Sequence, residues 1–222
     1  CLILHRQLLS GTATRALIVV PEPLLHQWLV ELVRRFNLRF SLFDEERCHA
    51  VVESGQAENP FQAEQLIICG LDLLTGSATR LQQAMAGEWD MLIVDEAHHL
   101  KWHQDDPSPA YSAIAQLAGG TPGVLLLTAT PEQLGRSGHF ARLRLLDPDR
   151  YHSLEAFHLE ERQYQPIAEA ATQLLEEARP SPQLIATLLQ ILEQDHAAPL
   201  IEQLQDPATD PAEQEGIRAE LT

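Results

Sequence analysis

The sequence predicts an α/β protein built on a doubly wound, mostly parallel sheet, followed by an all-α segment. Three observations carry this. Short runs of Val, Ile and Leu recur through residues 1–150, separated by amphipathic stretches, the alternation that builds parallel βαβ units. Several runs are apolar at successive positions rather than at every second one, as in strands covered on both faces. After about residue 150 the runs stop, and leucine stripes at helical spacing replace them.

In order along the chain, CLILHRQLLSG (1–11) reads as helix. RALIVVP (15–21) is a strand ended by proline. LLHQWLVELVRRF (24–36) carries Leu25, Trp28, Leu29, Leu32, Val33 and Phe36 at helical spacing, one apolar stripe on which Trp28 reads as packing. LRFSLFD (38–44) alternates like a strand. QLIICGLDLL (65–74) is a strand running into a turn or helix, with Cys69 as a small core residue. LQQAMAG (81–87) is a helix end, and WDMLIVDEA (89–97) is a strand. Ser108-Pro109 supplies an N-cap and first helical position for AYSAIAQLA. GVLLLTATP (123–131) is a strand closed by Pro131. Beyond it, Ile167, Ala170, Ala171, Leu174, Leu175 and Ala178 mark a helix stopped by Pro180. Ser181-Pro182 caps another, with Leu184, Ile185, Leu188, Leu189 and Leu192 as its stripe, and Asp210-Pro211-Ala212-Glu213 resembles a capping box. The expected division is residues 1–150 for the sheet and 151–222 for the helical appendage.

Bulk properties narrow the function classes. No apolar stretch is long enough to span a membrane. Three unpatterned cysteines suit a reducing compartment rather than a disulfide framework, so a cytoplasmic setting is expected. The net charge of −17 is uneven: residues 151–222 hold 14 acidic and 3 basic residues, which argues against a nucleic-acid grip in the tail. The first residues, with His5 and Arg6 inside an apolar stretch and no initiator methionine, do not read as a signal peptide, and the chain is expected to be a piece of a longer protein.

The chemistry concentrates in MLIVDEAHHL (91–100), where an apolar run ends in two carboxylates and two imidazoles. Charge at a half-buried position must be paired or bind a ligand. In open α/β sheets, ligands bind at the carboxyl ends of the strands. Asp95 and Glu96 stand where an ATPase needs a magnesium-holding carboxylate and a group that positions the attacking water. Four residues of this kind recur by chance. The second run, LLLTATP, strengthens the case by ending another strand in hydroxyls, Thr128 and Thr130, flanking Ala129.

IVDEAHH resembles motif II of the superfamily-2 nucleic-acid motor ATPases, and LLLTATP resembles their motif III. ALIVVP with the following Gln-Trp helix is similar to motif Ia of the Swi2/Snf2 branch. LIICGLDLL is similar to motif Ib, although Gly70 stands where a hydroxyl residue is common. The segments PEPLLHQWLVELVRRFNLRFSLFDEER, VDEAHHLKW and LLLTATPEQLGRSGHFARLRLLDPDRY narrow the resemblance to the bacterial RNA polymerase-associated Swi2/Snf2 ATPases. It runs from residue 1 to about 165 and more loosely to the end.

This resemblance implies a RecA-like lobe with ATP and Mg²⁺ as cofactors. Asp95 would hold Mg²⁺ through water, Glu96 would orient or deprotonate the attacking water, and His98 would link them to Thr128 and Thr130, which couple hydrolysis to movement. Val20 and Pro21 would begin the motif that lies along the nucleic-acid backbone. RNA polymerase and double-stranded DNA, or the nucleic acid of a transcription complex, are the implied partners, with no membrane, and the implied place is the bacterial nucleoid. The Gly-Lys-Ser/Thr phosphate loop of such motors has no counterpart, because the single lysine, Lys101, is followed by Trp102. The chain alone is therefore expected not to hydrolyse ATP. The alternatives are another superfamily-2 motor, such as a restriction-type translocase or DEAH helicase, and a non-catalytic polymerase-binding module. A zinc site at His98, His99 and His103 is disfavoured, since there is no HExxH and no paired cysteines.

The charge of the tail gives a direct expectation. Deleting residues 166–222 from the full-length protein should leave the salt dependence of DNA binding nearly unchanged. A clearly shallower slope would show that the acidic segment carries phosphate contacts after all.

Overall fold

A computed structural model describes residues 1–129, 135–176, 181, 184–186, 188, 194–205, 210 and 216–217. The chain divides into two compact units, Cys1–His152 and Ser153–Thr222. The first is the expected doubly wound α/β sheet. Its elements are α1 (Leu2–Leu9), β1 (Ala16–Val20), α2 (Leu25–Phe36), β2 (Ser41–Phe43), α3 (Glu45–Glu53), β3 (Leu66–Gly70), α4 (Leu71–Thr75), α5 (Ala78–Met85), β4 (Met91–Val94), α6 (Pro109–Gly119), β5 (Gly123–Leu126) and α7 (Gly135–Leu146). The second unit contains α8 (Leu154–Glu176) and α9 (Gln194–Gln205).

The strand order is β2-β3-β1-β4-β5, and every pairing is parallel. All five strand C-termini therefore share one edge. One face of the sheet, with Ala16, Ile18, Val20, Ile68, Met91 and Ile93, packs against Leu4 of α1 and Leu25 and Leu32 of α2. The opposite face, with Leu17, Val19, Ile67, Cys69, Leu92 and Val94, is equally shut off from water. Burial on both faces is why these runs lack a polar alternation. The edge strands differ: the four residues of β5 are only half-buried, and of β2 only Phe43 is fully buried.

The helices follow local rules. Ser108 Oγ accepts the Tyr111 N–H and starts α6 with Pro109 in its first turn, as expected. Asp44 caps α3 by accepting the Arg47 N–H at 2.7 Å. Neither α3 nor α7 was expected from the sequence. In α3 only Cys48 and Val51 are buried. In α7 the buried apolar residues sit between arginines and glycines. The strands are shorter than the apolar runs suggest, and Val33, expected on the buried stripe of α2, is 45% exposed. In the second unit α8 begins well before Ile167. Ala170, Leu174, Leu184, Leu188, Ile201, Leu204 and Ile217 form its core. Pro131, Leu189, Leu192 and most of the capping box at Asp210 lie outside the described residues.

Two polar clusters tie sheet and helices together. At the foot of the sheet, Asp90 Oδ2 accepts from the Thr14 N–H (2.7 Å), the Thr14 hydroxyl (2.8 Å) and the Arg15 N–H (2.9 Å). The Arg15 guanidinium lies over the Trp89 ring and donates to the Gly87 and Phe61 carbonyls. Between α3 and α5, buried Arg80 grips Glu45, with Nη2 on Oε1 at 2.7 Å and Nε on Oε2 at 3.0 Å. This forked, charge-assisted pairing suits arginine and not lysine.

Both clusters make the fold acid-sensitive. The backbone and hydroxyl donors of Thr14 and Arg15 hold the Asp90 carboxyl below its usual range, and the Arg80 guanidinium does the same for Glu45. A carboxyl depressed in the folded state adds stability above its unfolded value, about 4, and loses it as pH falls through the folded one. Asp90→Asn should cost about 1–2 kcal/mol at neutral pH. It should also flatten the decline of stability below about pH 5. Urea unfolding at a series of pH values checks this, and an unchanged acid slope would show that the clamp contributes nothing.

Candidate functional site

The residues that the sequence singles out meet at the C-terminal edge of β4 and its neighbours. Parallel pairing continues one step beyond the strands. The Asp95 N–H donates to the Val19 carbonyl at 2.9 Å, and the Leu127 N–H donates to the Val94 carbonyl at 2.8 Å. Ala97, fully buried, donates its N–H back to the Leu127 carbonyl at 2.8 Å. The ends of the two motifs are thus stitched together by backbone.

Glu96, between these anchors, sits in the left-handed region at φ 52° and ψ 42°. For a residue with a Cβ this is a strained conformation, costing about 1–2 kcal/mol. A short 3₁₀ turn, Ala97–His99, follows and carries both imidazoles, whose ring centroids lie 4.1 Å apart.

The two carboxylates have different surroundings. Asp95 is well supplied with donors: Oδ1 accepts the Glu96 N–H at 2.9 Å, and Oδ2 accepts the indole N–H of Trp28 at 2.7 Å. Glu96 Oε2 is shut off from solvent with no hydrogen-bond partner among protein atoms. Its near neighbour is His98 Nδ1 at 2.9 Å, an ion-pair distance without hydrogen-bond alignment. His98 Nδ1 also lies 3.5 Å from the Thr128 hydroxyl, at the outer limit of a hydrogen bond.

Asp95, Glu96, His98 and Thr128 are therefore brought together. Ala129 is exposed beside them, and Thr130 lies outside the described residues. Val20 ends β1 on the same edge, but its side chain is 1% exposed and belongs to the core. Pro21, half-buried, is the member of that pair with surface to offer. Trp28 was missed as a site residue because an indole on an apolar stripe reads as packing; only the tertiary fold brings its N–H to Asp95.

The chemistry of the donor set fits a magnesium nucleotide. Mg²⁺ prefers oxygen ligands and keeps waters, so it is commonly held by one or two carboxylates together with substrate phosphates. Asp95 offers oxygens with lone pairs to spare, and Glu96 Oε2, which has the His98 ring beside it but no aligned hydrogen bond, is a charged acceptor suited to a water. Among the described residues no group of three His, Cys, Asp or Glu side chains forms a protein-only metal cage. A cleft of about 960 Å³ lies elsewhere, between α6, the start of β5 and the end of α7, lined by Trp102, Tyr111, Val124 and Leu145. It contains none of the motif residues.

The model of the SNF2-related domain family matches residues 2–196. The chain belongs to this family. Among curated proteins it is similar to the RNA polymerase-associated protein RapA of Vibrio parahaemolyticus, at 62% identity over 173 residues, covering 78% of this chain and 18% of that protein. It is also similar to RapA of Photobacterium profundum, at 52% identity over 221 residues, covering 99% of this chain and 22% of that protein. The chain spans about a fifth of the length of these relatives. Among solved structures it resembles the Sulfolobus solfataricus SWI2/SNF2 ATPase core in complex with dsDNA, with a TM-score of 0.56 at 16% identity, covering 99% of this chain and 48% of that one. That likeness concerns the fold: a RecA-like parallel sheet. The family resemblance read from the motifs is correct.

The strain at Glu96 has a measurable consequence. Glu96→Gly removes both the left-handed Cβ and a half-buried carboxylate whose one near partner, His98, makes no aligned hydrogen bond to it. It should raise the unfolding free energy by about 1 kcal/mol while abolishing any function of the site. Urea unfolding decides it, and a lower midpoint would mean that the Glu96 side chain holds the turn in place.

Proposed function

We propose that the chain is most of the first motor lobe of an ATP-dependent nucleic-acid translocase that works with RNA polymerase and remodels or recycles it during transcription. The observation that carries this reading is the end of β4. There Asp95, rich in donors, and Glu96, with a buried oxygen lacking one, stand side by side in a chain of the SNF2-related family. The names of the relatives, RNA polymerase-associated, and the duplex DNA bound by the SWI2/SNF2 structure support the same partner classes here. In this reading residues 1–150 are the RecA-like ATP-binding lobe, 151–222 are a helical insertion, and the protein works in the bacterial cytoplasm on the nucleoid. No described helix is long and apolar enough to cross a membrane.

The side chains divide the work. Asp95 would hold Mg²⁺ through water, and the ion, once bound with ATP, neutralises charge on the phosphates. Glu96 accepts from the attacking water and orients it. His98 lies between Glu96 and Thr128, so a shift of the β5 end reaches the water-positioning carboxylate through one imidazole. Thr128, Ala129 and Thr130 form the coupling segment, and Pro21, with the backbone at Val20, meets the nucleic acid. The chain has no Gly-Lys-Ser/Thr for a Walker A loop, so in this reading the 222 residues alone would not turn over ATP.

Three substitutions in the full-length protein separate these roles. Glu96→Gln should still bind nucleotide and Mg²⁺, with turnover reduced about 100-fold or more. Asp95→Asn should shift the Mg²⁺ dependence of nucleotide binding as well. Thr130→Ala should keep part of the hydrolysis and lose nucleic-acid stimulation and translocation. Nucleotide affinity, phosphate release and translocation are measured for all three. Wild-type turnover in Glu96→Gln would remove the catalytic reading and leave a polymerase-binding module.

A further inference from the structure

We infer that Trp28 is a positioning residue for Asp95: its indole N–H fixes the carboxylate that receives the metal's water shell, and it ties that carboxylate to α2. The inference rests on the assignment of Asp95 as the metal-holding carboxylate.

The contact joins residues 67 apart in sequence at 2.7 Å, short for an N–H donor and in the range of charge-assisted hydrogen bonds. It does not act alone. The Glu96 N–H occupies Oδ1 while the indole occupies Oδ2, so each carboxylate oxygen has one fixed donor. A carboxylate oxygen has two acceptor sites. The pair of donors therefore stops the carboxylate from rotating and leaves one site on each oxygen. Those two sites would be the ones open to the waters of a bound Mg²⁺, with the carboxylate already held in place.

The indole is itself held. It packs against the sheet-face cluster beside Leu25, Leu29 and Leu32, and a tryptophan has only two side-chain torsions to fix. It is not sealed into the core, however. The ring borders a groove of about 420 Å³ with Cys1, Gln27, Glu31 and Phe36, and the residue is half-buried. A packed indole N–H needs an acceptor, and Trp89 gives its own to the Ala84 carbonyl; Trp28 gives its N–H to a motif carboxylate instead.

The helix that carries Trp28 has a further significance. α2 leaves β1 through Pro21 and the short turn Glu22–Leu24. Trp28 thus joins α2 to the proposed metal carboxylate by one hydrogen bond.

The test uses the full-length protein and does not depend on turnover. Trp28→Phe keeps an aromatic ring on the stripe and removes the N–H. Its melting temperature should be close to wild type, while the Mg²⁺ concentration that half-saturates binding of a fluorescent ATP analogue should rise about 10-fold, the lower end of effects seen for outer partners of metal ligands. The Trp28 indole ¹⁵N–¹H resonance, assigned by its loss in Trp28→Phe, should move upfield in Asp95→Asn. If Trp28→Phe fails to fold, benzothienylalanine at position 28 keeps the shape with sulfur in place of the N–H, and it should show the same Mg²⁺ shift. An unchanged Mg²⁺ dependence in the Trp28 variant, alongside a raised one in Asp95→Asn, would overturn the positioning role and leave the ATPase reading standing. If neither variant changes it, the metal assignment of Asp95 falls as well.

Discussion

Everything at the functional edge depends on how β4 ends. The Asp95 N–H is tied to β1 through the Val19 carbonyl, and the Ala97 N–H is tied to the β5 side through the Leu127 carbonyl. These two anchors reach the strands on either side of β4, and only Glu96 stands between them on the chain. The peptide between them must change direction within Glu96 alone, and the left-handed region is where a single residue achieves this. The strain at Glu96 is thus a consequence of parallel pairing on both sides of the strand, held in place by hydrogen bonds on either flank. Ala97, fully buried, has no side chain beyond Cβ to interfere with the crossing.

The opposite end of the same strand is fixed just as firmly. Asp90 gathers the first backbone N–H groups of the β1 segment onto one oxygen, and Arg15 reaches back over Trp89. β4 is pinned to β1 at its foot by a side chain and at its head by backbone. A strand held at both ends cannot slide in register, and a one-residue slip would turn every side chain of β4 to the other face and displace the Asp95–Glu96 turn that follows it. The clamp at Asp90 is far from the site and protects its geometry.

How much of this the sequence shows depends on the range of the interaction. The runs ALIVV, LIICG and MLIV are legible as strands because burial on both faces leaves an unbroken apolar signature. Asp95 and Glu96 are legible as candidate site residues because charge at such a strand end needs a reason. The half-buried state of β5 is not legible, since GVLL reads like the interior strands while its place at the sheet end is a matter of topology. α3 escapes because two buried residues in nine give no stripe, and its attachment comes from Glu45 and Arg80, which are 35 residues apart. Trp28 is the instructive case. Its spacing places it correctly on the apolar face, and nothing in that spacing says that the polar end of the ring reaches a carboxylate 67 residues away.

Two adjacent acids become different instruments through this geometry. Along an ordinary strand, Asp95 and Glu96 would point to opposite faces of the sheet. With Glu96 in the left-handed region, the chain turns there instead. Asp95 remains against α2, where an indole and a backbone N–H settle its orientation. Glu96 enters the 3₁₀ turn that carries His98, where no protein donor completes its buried oxygen. A carboxylate with its donors in place suits a fixed coordination geometry. One with an acceptor left open suits a water. The division follows from backbone pairing, which explains why both acids stand at one strand end rather than on separate elements.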